Sequence, residues 1–149
     1  MKIKVLSDLH LEFGPIDPGT GDVLVLAGDI CTAESFVRDS EVALKKRYLE
    51  FFEKCVAGYQ KVFYTLGNHE YYNYYIDEAE KTLRDALPEG ITLLNNQSEF
   101  YKGVHFVGST LWASFDGGDE AVMQMCSNSM NDYNLSLIHI SEPTRPRLI

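Results

Sequence analysis

Residues 23–29 read Val-Leu-Val-Leu-Ala-Gly-Asp, an apolar run that ends in a glycine and a carboxylate. Two other runs resemble it: residues 3–6, a short β-branched run, precede Ser-Asp, and residues 62–66 precede Gly-Asn. Continuous apolar runs of this length are typical of strands that are buried on both faces of a sheet. The three runs therefore predict three buried strands, each followed at its carboxyl end by polar residues.

The segments around these strands carry a helical pattern. In residues 40–57 apolar side chains recur at near-helical spacing, and Gly58 is placed to end that helix. Residues 76–87 repeat the pattern, and Pro-Glu-Gly ends it. The remaining predicted elements are strands at residues 91–94, 99–102 and 104–107 and a short helix at residues 120–126. This order of elements indicates an α/β fold in which helices are layered on a sheet.

The length, net charge and cysteine content of the chain exclude several classes of protein. The 149 residues suffice for one modest domain, and the net charge of −9 argues against a nucleic-acid surface built on positive charge. Nucleic acid is not excluded, because metal ions can supply the positive charge that phosphates need. The three cysteines follow no zinc-binding spacing, and no apolar stretch is long enough for a membrane span or a secretory core. We therefore expect a cytoplasmic protein with reduced thiols.

Three polar motifs follow the three predicted strands. They are Ser-Asp-Leu-His at 7–10, Gly-Asp at 28–29 and Gly-Asn-His-Glu at 67–70. Each has a simpler explanation on its own, since Asp-x-His arises by chance and Gly-Asp after a strand is usually a turn. In open α/β sheets, however, sites lie beyond the carboxyl ends of the strands. The three motifs together therefore predict one site at one edge of the sheet.

Within the first motif, the spacing of the two polar residues suggests that they bind the same metal ion. In an extended chain, positions i and i+2 project to the same side, so we expect Asp8 and His10 to bind one ion together. Mixed oxygen and nitrogen donors without thiolate favour Mn²⁺, Fe or Zn²⁺ over Cu(I) or an iron–sulfur cluster.

These motifs, in this order, resemble the first three signatures of the calcineurin-like metallophosphoesterases. The resemblance implies hydrolysis of phosphate mono- or diesters at a centre of two divalent metal ions. It implies that Asp8 and His10 bind one metal, that Asp29 bridges both, and that Asn68 binds the second. It also implies that His69 assists the leaving group. The expected partner is a small phosphate ester, with nucleotides among the candidates; the substrate, the metals and the oligomeric state stay open.

The chain departs from the family pattern in its second half. The resemblance implies two later motifs, a His after a strand and Gly-His-x-His, and neither occurs in the sequence. His105 lies inside an apolar strand and is interpreted as structural. We therefore expect a truncated fragment that binds metal poorly and is nearly inactive. The alternative is a non-catalytic binding or scaffold protein with the same fold, which would show substitutions among the ligands.

The last fifteen residues, 135–149, read as foreign to the domain. They lack a clear period and contain two prolines. Their first eleven residues, Leu-Ser-Leu-Ile-His-Ile-Ser-Glu-Pro-Thr-Arg, resemble the in-frame translation of a sequencing adapter. We therefore predict a natural domain over residues 1–134 and an adapter-derived tail over residues 135–149, so that His139 is no ligand.

Several residues near the motifs have simpler interpretations. Glu70 is expected to stabilise the Gly-Asn-His turn rather than to bind metal. Leu-Glu-Phe at 11–13 is expected to seat the first loop. The tyrosines in residues 71–75 could stack on a nucleobase, but packing of the loop and the next helix is the favoured interpretation.

Overall fold

The computed structural model describes residues 1–112 and 114–130. The described strands are β1 (Ile3–Leu6), β2 (Gly21–Ala27), β3 (Tyr59–Thr65), β4 (Ile91–Leu93), β5 (Gln97–Tyr101) and β6 (Val104–Gly108). The described helices are α1 (Val42–Gly58), α2 (Ile76–Ala86), α3 (Phe115–Gly118) and α4 (Glu120–Ser129). Every strand and helix predicted from the sequence is present, and α4 extends three residues beyond its predicted end. The predicted tail at 135–149 lies outside the described residues.

The first four strands form one parallel sheet in the order β1-β2-β3-β4. Its register pairs Val5 with Val25 and Val25 with Phe63, so the ends of the first three strands are aligned. Strands β5 and β6 form a separate antiparallel hairpin. Helix α1 connects β2 to β3 and helix α2 connects β3 to β4, and this parallel sheet with a second sheet beside it constitutes the predicted layered α/β fold.

Helices cover one face of the parallel sheet. Leu24, Leu26 and Tyr64 point into a core that includes Phe52 of α1 and Leu83 of α2, all of them fully buried. Replacing a buried aromatic side chain such as Phe52 with alanine costs about 3–5 kcal/mol. This core fixes the helices against the sheet and thereby fixes the loops at the carboxyl ends of the strands.

The hairpin covers part of the other face. Phe63 of β3 stacks on Phe106 of β6 with ring centroids 4.2 Å apart, and Val23 and Leu94 complete this smaller cluster. Lys61 of β3 forms an ion pair with Glu99 of β5 at 2.6 Å. The hairpin therefore packs over β3.

The prediction that all three apolar runs are buried on both faces is wrong for β1. Ile3 is 44% exposed and Val5 is 60% exposed. Strand β1 lies at the sheet edge and pairs only with β2 among the described strands, whereas the hairpin packs against β3. Apolar sequence alone does not distinguish an edge strand from a central one, because the difference depends on what packs against the strand.

The structure bears on the cysteine thiols and on membrane-spanning helices in the described part of the chain. The thiols of Cys31, Cys55 and Cys126 are free, and the first two are buried. Among the described residues, no helix is long and apolar enough to cross a membrane.

Candidate active site

The loops that follow β1 and β2 remain paired beyond the strand ends. The backbone N–H of Asp8 donates to the carbonyl of Gly28 at 3.0 Å, and the N–H of His10 donates to the carbonyl of Asp29 at 3.0 Å. The loop after β3 joins them, because the N–H of His69 donates to Asp29 Oδ1 at 2.9 Å. Hydrogen bonds from backbone N–H groups, one of them to the Asp29 side chain, thus bring all three motifs to one edge of the sheet.

The predicted site residues converge at this edge. Donor atoms of Asp8, His10 and Asp29 all lie within 4.8 Å of one another. The rings of His10 and His69 meet edge to face, with centroids 4.6 Å apart. Asn68 precedes His69, and its Nδ2 donates to the Tyr72 hydroxyl at 3.1 Å. Asp8, His10, Asp29 and His69 are therefore brought together at this edge, and the roles of these residues and of Asn68 as metal ligands and catalyst stay predictions.

The backbone at three of these residues has left-handed dihedrals. The φ angles are 53° at Asp8, 43° at His10 and 55° at Asp29. Residues other than glycine rarely adopt this region, and such strain concentrates at functional sites. The extended-chain argument for Asp8 and His10 is therefore wrong, since β1 ends at Leu6. The two side chains meet because the loop curls after the strand.

Two glycines allow the second and third loops to touch. A Cβ on Gly28 would lie 2.8 Å from the Cα of Gly67. A Cβ on Gly67 would lie 2.1 Å from Asp29 Oδ1 and 2.7 Å from the Asp29 nitrogen. Any side chain at Gly67 would therefore displace the carboxylate that is predicted to bridge the metals.

Glu70 is the buried residue that ties these loops together, and it is 0% exposed. Its Oε2 accepts from the N–H groups of Asp29 at 3.0 Å and Gly67 at 2.7 Å. Its Oε1 accepts from the N–H of Ile30 and the hydroxyl of Tyr64, both at 2.7 Å. The structural interpretation of Glu70 is confirmed, and its reach to the Gly-Asp loop is a finding beyond it.

Burial is the main cause of the pKa shifts of Glu70, Cys31 and Tyr64. It raises the pKa of the Glu70 carboxyl above its ordinary value, and the hydrogen bonds from Ile30, Tyr64, Asp29 and Gly67 oppose that rise. Burial, with Glu70 nearby, also raises the pKa of the Cys31 thiol, and burial raises the pKa of the Tyr64 hydroxyl well above its ordinary value. Tyr64 therefore keeps the proton that it donates to Glu70.

Glu12 is a site residue that the sequence interpretation missed. Its Oε1 lies 2.5 Å from Nε2 of His69 and 3.4 Å from Nδ1 of His10. Donor atoms of these three residues also lie within 4.8 Å of one another. The expectation that residues 11–13 seat the first loop is confirmed for Leu11, which is fully buried. The available signal was spacing, because an acid two residues after Asp-Leu-His stands close to the site.

Comparison with known proteins decides the family. The family profile described as calcineurin-like phosphoesterase matches residues 1–136. The chain belongs to the calcineurin-like phosphoesterase family.

Individual relatives of this calcineurin-like phosphoesterase are longer than the chain. An uncharacterized protein of Acanthamoeba polyphaga mimivirus is 32% identical over 155 residues, which cover 89% of this chain and 51% of that protein. The crystal structure of phosphopantetheinyl hydrolase from Mycobacterium tuberculosis matches with a TM-score of 0.60 at 17% identity, over 96% of this chain and 57% of the hydrolase. That likeness shows a shared fold. The chain spans about half the length of these two relatives.

The family implies divalent metal ions, and the residues present fit them. Two buried atoms at the site, His10 Nδ1 and Glu12 Oε2, lack a hydrogen-bond partner among the described residues. Unpartnered buried acceptors are rare, and a cation would satisfy them. The carboxylates of Asp8 and Asp29 add hard oxygen donors beside this imidazole. A set of oxygen and nitrogen donors suits Mn²⁺, Fe or Zn²⁺.

Two further interpretations can be compared with this phosphoesterase structure. Among the described residues, neither group of potential ligands includes His105, whose ring instead lies 4.7 Å from that of Phe100. Packing is confirmed for Tyr71, which is 4% exposed and contacts Trp112. Tyr72 instead lies at the site, with its ring 4.7 Å from that of His69.

Proposed function

We propose that the protein is a metal-dependent hydrolase of phosphate mono- or diesters with a two-metal centre. The observation that carries this proposal is the convergence of Asp8, His10 and Asp29, whose donor atoms lie within 4.8 Å of one another on left-handed backbone. A protein that needed these residues only for folding would have little reason to keep three strained positions together. Membership of the calcineurin-like phosphoesterase family supports the same reaction class.

Each residue has a distinct task in this proposal. Asp8 and His10 would hold one cation, Asp29 would contribute to both metal sites, and Asn68 would hold the second cation through its neutral amide oxygen. When bound, the two cations supply Lewis acidity that activates water near neutral pH and neutralises charge on the phosphoryl oxygens. His69 delivers a proton to the departing oxygen of the ester, which otherwise leaves as a costly alkoxide.

The proposed substrate is a small phosphate ester, with nucleotides among the candidates. The net charge of −9 disfavours long nucleic acids, whose phosphates would be repelled outside the metal site. The free thiols support a reducing compartment, and we propose the cytoplasm.

We expect the 149-residue chain by itself to bind metal weakly and to turn over slowly. The family resemblance implies further ligands from later motifs, and the sequence contains neither motif. A full set of ligands would come from a longer protein of about the length of the two relatives, of which the chain spans 51% and 57%. We propose residues 1–134 as the natural part of this chain.

The test is metal-dependent hydrolysis by the longer protein, with the 149-residue chain assayed in parallel. Bis(p-nitrophenyl) phosphate and p-nitrophenyl phosphate report on diesters and monoesters, with Mn²⁺, Fe²⁺ or Zn²⁺ added to stripped protein. Asp29→Asn should abolish binding of two metals and reduce kcat/KM by about 10³-fold or more. Asp85→Asn removes the same charge from an exposed position of α2 and should leave activity unchanged. Near-parental activity with both metals bound in Asp29→Asn would show that the assigned bridge is wrong.

The same assay separates an enzyme from a non-catalytic relative. If the longer protein binds metals but hydrolyses neither ester nor any member of a phosphate-ester panel, the scaffold interpretation replaces this proposal. Wild-type-like turnover by the 149-residue chain would instead refute the expectation that it is nearly inactive.

A further inference from the structure

We propose that Glu12 is a positioning residue that orients the imidazole of His69 toward the leaving group. The inference rests on the proposed function and adds to it a residue that lies outside the three sequence motifs. It concerns the orientation of one ring and the nitrogen that this ring presents to the substrate.

The contact between Glu12 and His69 is short and directional. Glu12 Oε1 lies 2.5 Å from Nε2 of His69, whereas its distance to His10 Nδ1 is 3.4 Å. A carboxylate can only accept, so the hydrogen of this bond is on Nε2 of His69. Nδ1 is then the nitrogen that remains for the substrate side, and the imidazolium form of His69 carries there the proton that passes to the departing oxygen.

Other rings confine the same imidazole. The Tyr72 ring lies 4.7 Å from the His69 ring, at an angle of 59°. The His10 ring lies 4.6 Å away at 88°. Ring contacts limit tilting, but they do not distinguish Nδ1 from Nε2. Among the described contacts of His69, the bond to Glu12 is the one that selects the nitrogen.

Helix α1 anchors the backbone at Glu12 through hydrogen bonds. Arg47 Nη1 donates to the carbonyl of Leu11 at 3.1 Å and to the carbonyl of Glu12 at 2.9 Å. Leu11 is fully buried in the helix-side core, so the loop is anchored on both sides of the site. A carboxylate on an anchored loop can orient a partner ring, because the pair loses little further freedom when the bond forms.

A competing role for Glu12 is direct ligation of a cation with His10 and His69, whose donor atoms lie within 4.8 Å of it. The geometry favours orientation, because the single short contact is to His69. The two roles predict different behaviour. An orienting residue affects the step in which the leaving group departs, whereas a ligand affects metal content and every substrate equally.

The first experiment measures the ring directly in the metal-free 149-residue chain. Long-range ¹H–¹⁵N correlation spectra at pH 8 assign the neutral tautomer of His69 in wild type, Glu12→Ala, Glu12→Gln and the control Glu53→Ala, which changes an exposed residue of α1. We expect hydrogen on Nε2 in wild type and control, a tautomer mixture in Glu12→Ala, and retention in Glu12→Gln, whose amide oxygen can still accept. Hydrogen on Nδ1 in wild type, or an unchanged tautomer in Glu12→Ala, would overturn the proposal.

The second experiment uses the longer protein loaded with Mn²⁺. For a phenyl ester, a poor leaving group, Glu12→Ala should lower kcat about 10- to 100-fold with KM unchanged, because orientation of a general acid is lost. For the p-nitrophenyl ester, which departs without protonation, the loss should be under about threefold. Glu12→Gln should recover most of the rate on the phenyl ester.

Failure of this proposal is distinguishable from failure of the proposed function. Equal losses on both esters together with loss of one metal per chain would establish Glu12 as a ligand and refute the orienting role. An active wild type with unaffected Glu12 variants would refute the orienting role and leave the phosphoesterase assignment intact. A wild type inactive on both esters would count against the proposed function, while the tautomer measurement would still decide the contact.

Discussion

Substitution of Glu70 tests how the site is built, because this carboxylate joins two of the three loops. Four short hydrogen bonds converge on it, from the N–H groups of Asp29, Ile30 and Gly67 and from the hydroxyl of Tyr64. In Glu70→Gln, an amide NH₂ replaces one oxygen and faces two of these donors. The Tyr64 hydroxyl can rotate and accept, but at least one buried N–H loses its partner.

The magnitude follows from these contacts. One buried N–H without a partner costs about 1–3 kcal/mol, and removal of the buried charge offsets part of the loss of charge-assisted bonds. We expect Glu70→Gln to lower the free energy of unfolding by about 1–3 kcal/mol. Glu70→Ala loses all four acceptor contacts, at about 1 kcal/mol or more each, so we expect a loss of at least about 4 kcal/mol. That is a large fraction of the stability of a typical domain, about 5–15 kcal/mol.

Urea unfolding of the 149-residue chain, followed by far-UV circular dichroism, measures these losses. Tyr64→Phe removes one of the four donors and should cost about 1 kcal/mol. Glu53→Gln changes an exposed acid on α1 and should stay within about 0.5 kcal/mol of wild type. A loss below about 1 kcal/mol in Glu70→Ala would contradict the reasoning, because it would mean that the four donors find other partners at no cost.

Three further predictions address the site, the core and the metals. Gly67→Ala should weaken metal binding by at least about tenfold, since the added Cβ would lie 2.1 Å from Asp29 Oδ1; unchanged affinity by isothermal titration calorimetry would contradict this. One thiol per native chain should react with Ellman's reagent at pH 8, from half-buried Cys126, and three should react in urea. Burial raises the pKa of Cys55 to about 12 and also raises the pKa of Cys31. The thiolate fraction of both residues at pH 8 is therefore very low, and it grows only as the pH rises toward the raised pKa. Fast reaction of two or three thiols in the native chain would refute the burial of Cys31 and Cys55. Mn²⁺ at about 100 times its Kd should raise the free energy of unfolding of the longer protein by about 2.7 kcal/mol, and it should raise that of Asp29→Asn by less. Equal shifts of Tm in the two proteins would show that Asp29 is no ligand.

The parallel sheet could be predicted because its signals are local. The apolar run at 3–6 coincides with β1, the run at 62–66 overlaps β3, and the helical periods at 40–57 and 76–87 correspond to α1 and α2. The exposure of Val5, at 60%, could not be predicted in the same way. A run of apolar residues forms a strand wherever it pairs, but its burial depends on which elements cover the sheet, and the hairpin covers β3.

Within the site, the sequence determined which chemistry is present, and the tertiary structure decided how it is arranged. Asp8, His10 and Asp29 follow apolar runs in the sequence, so their presence at strand ends is a local fact that spacing and residue type reveal. The bond between Glu12 and His69 joins residues 57 positions apart, and Glu70 reaches back 41 positions to the N–H of Asp29. Such pairs exist only after three loops are fixed by a shared core, because the free energy of each contact depends on atoms that the covalent chain does not bring together.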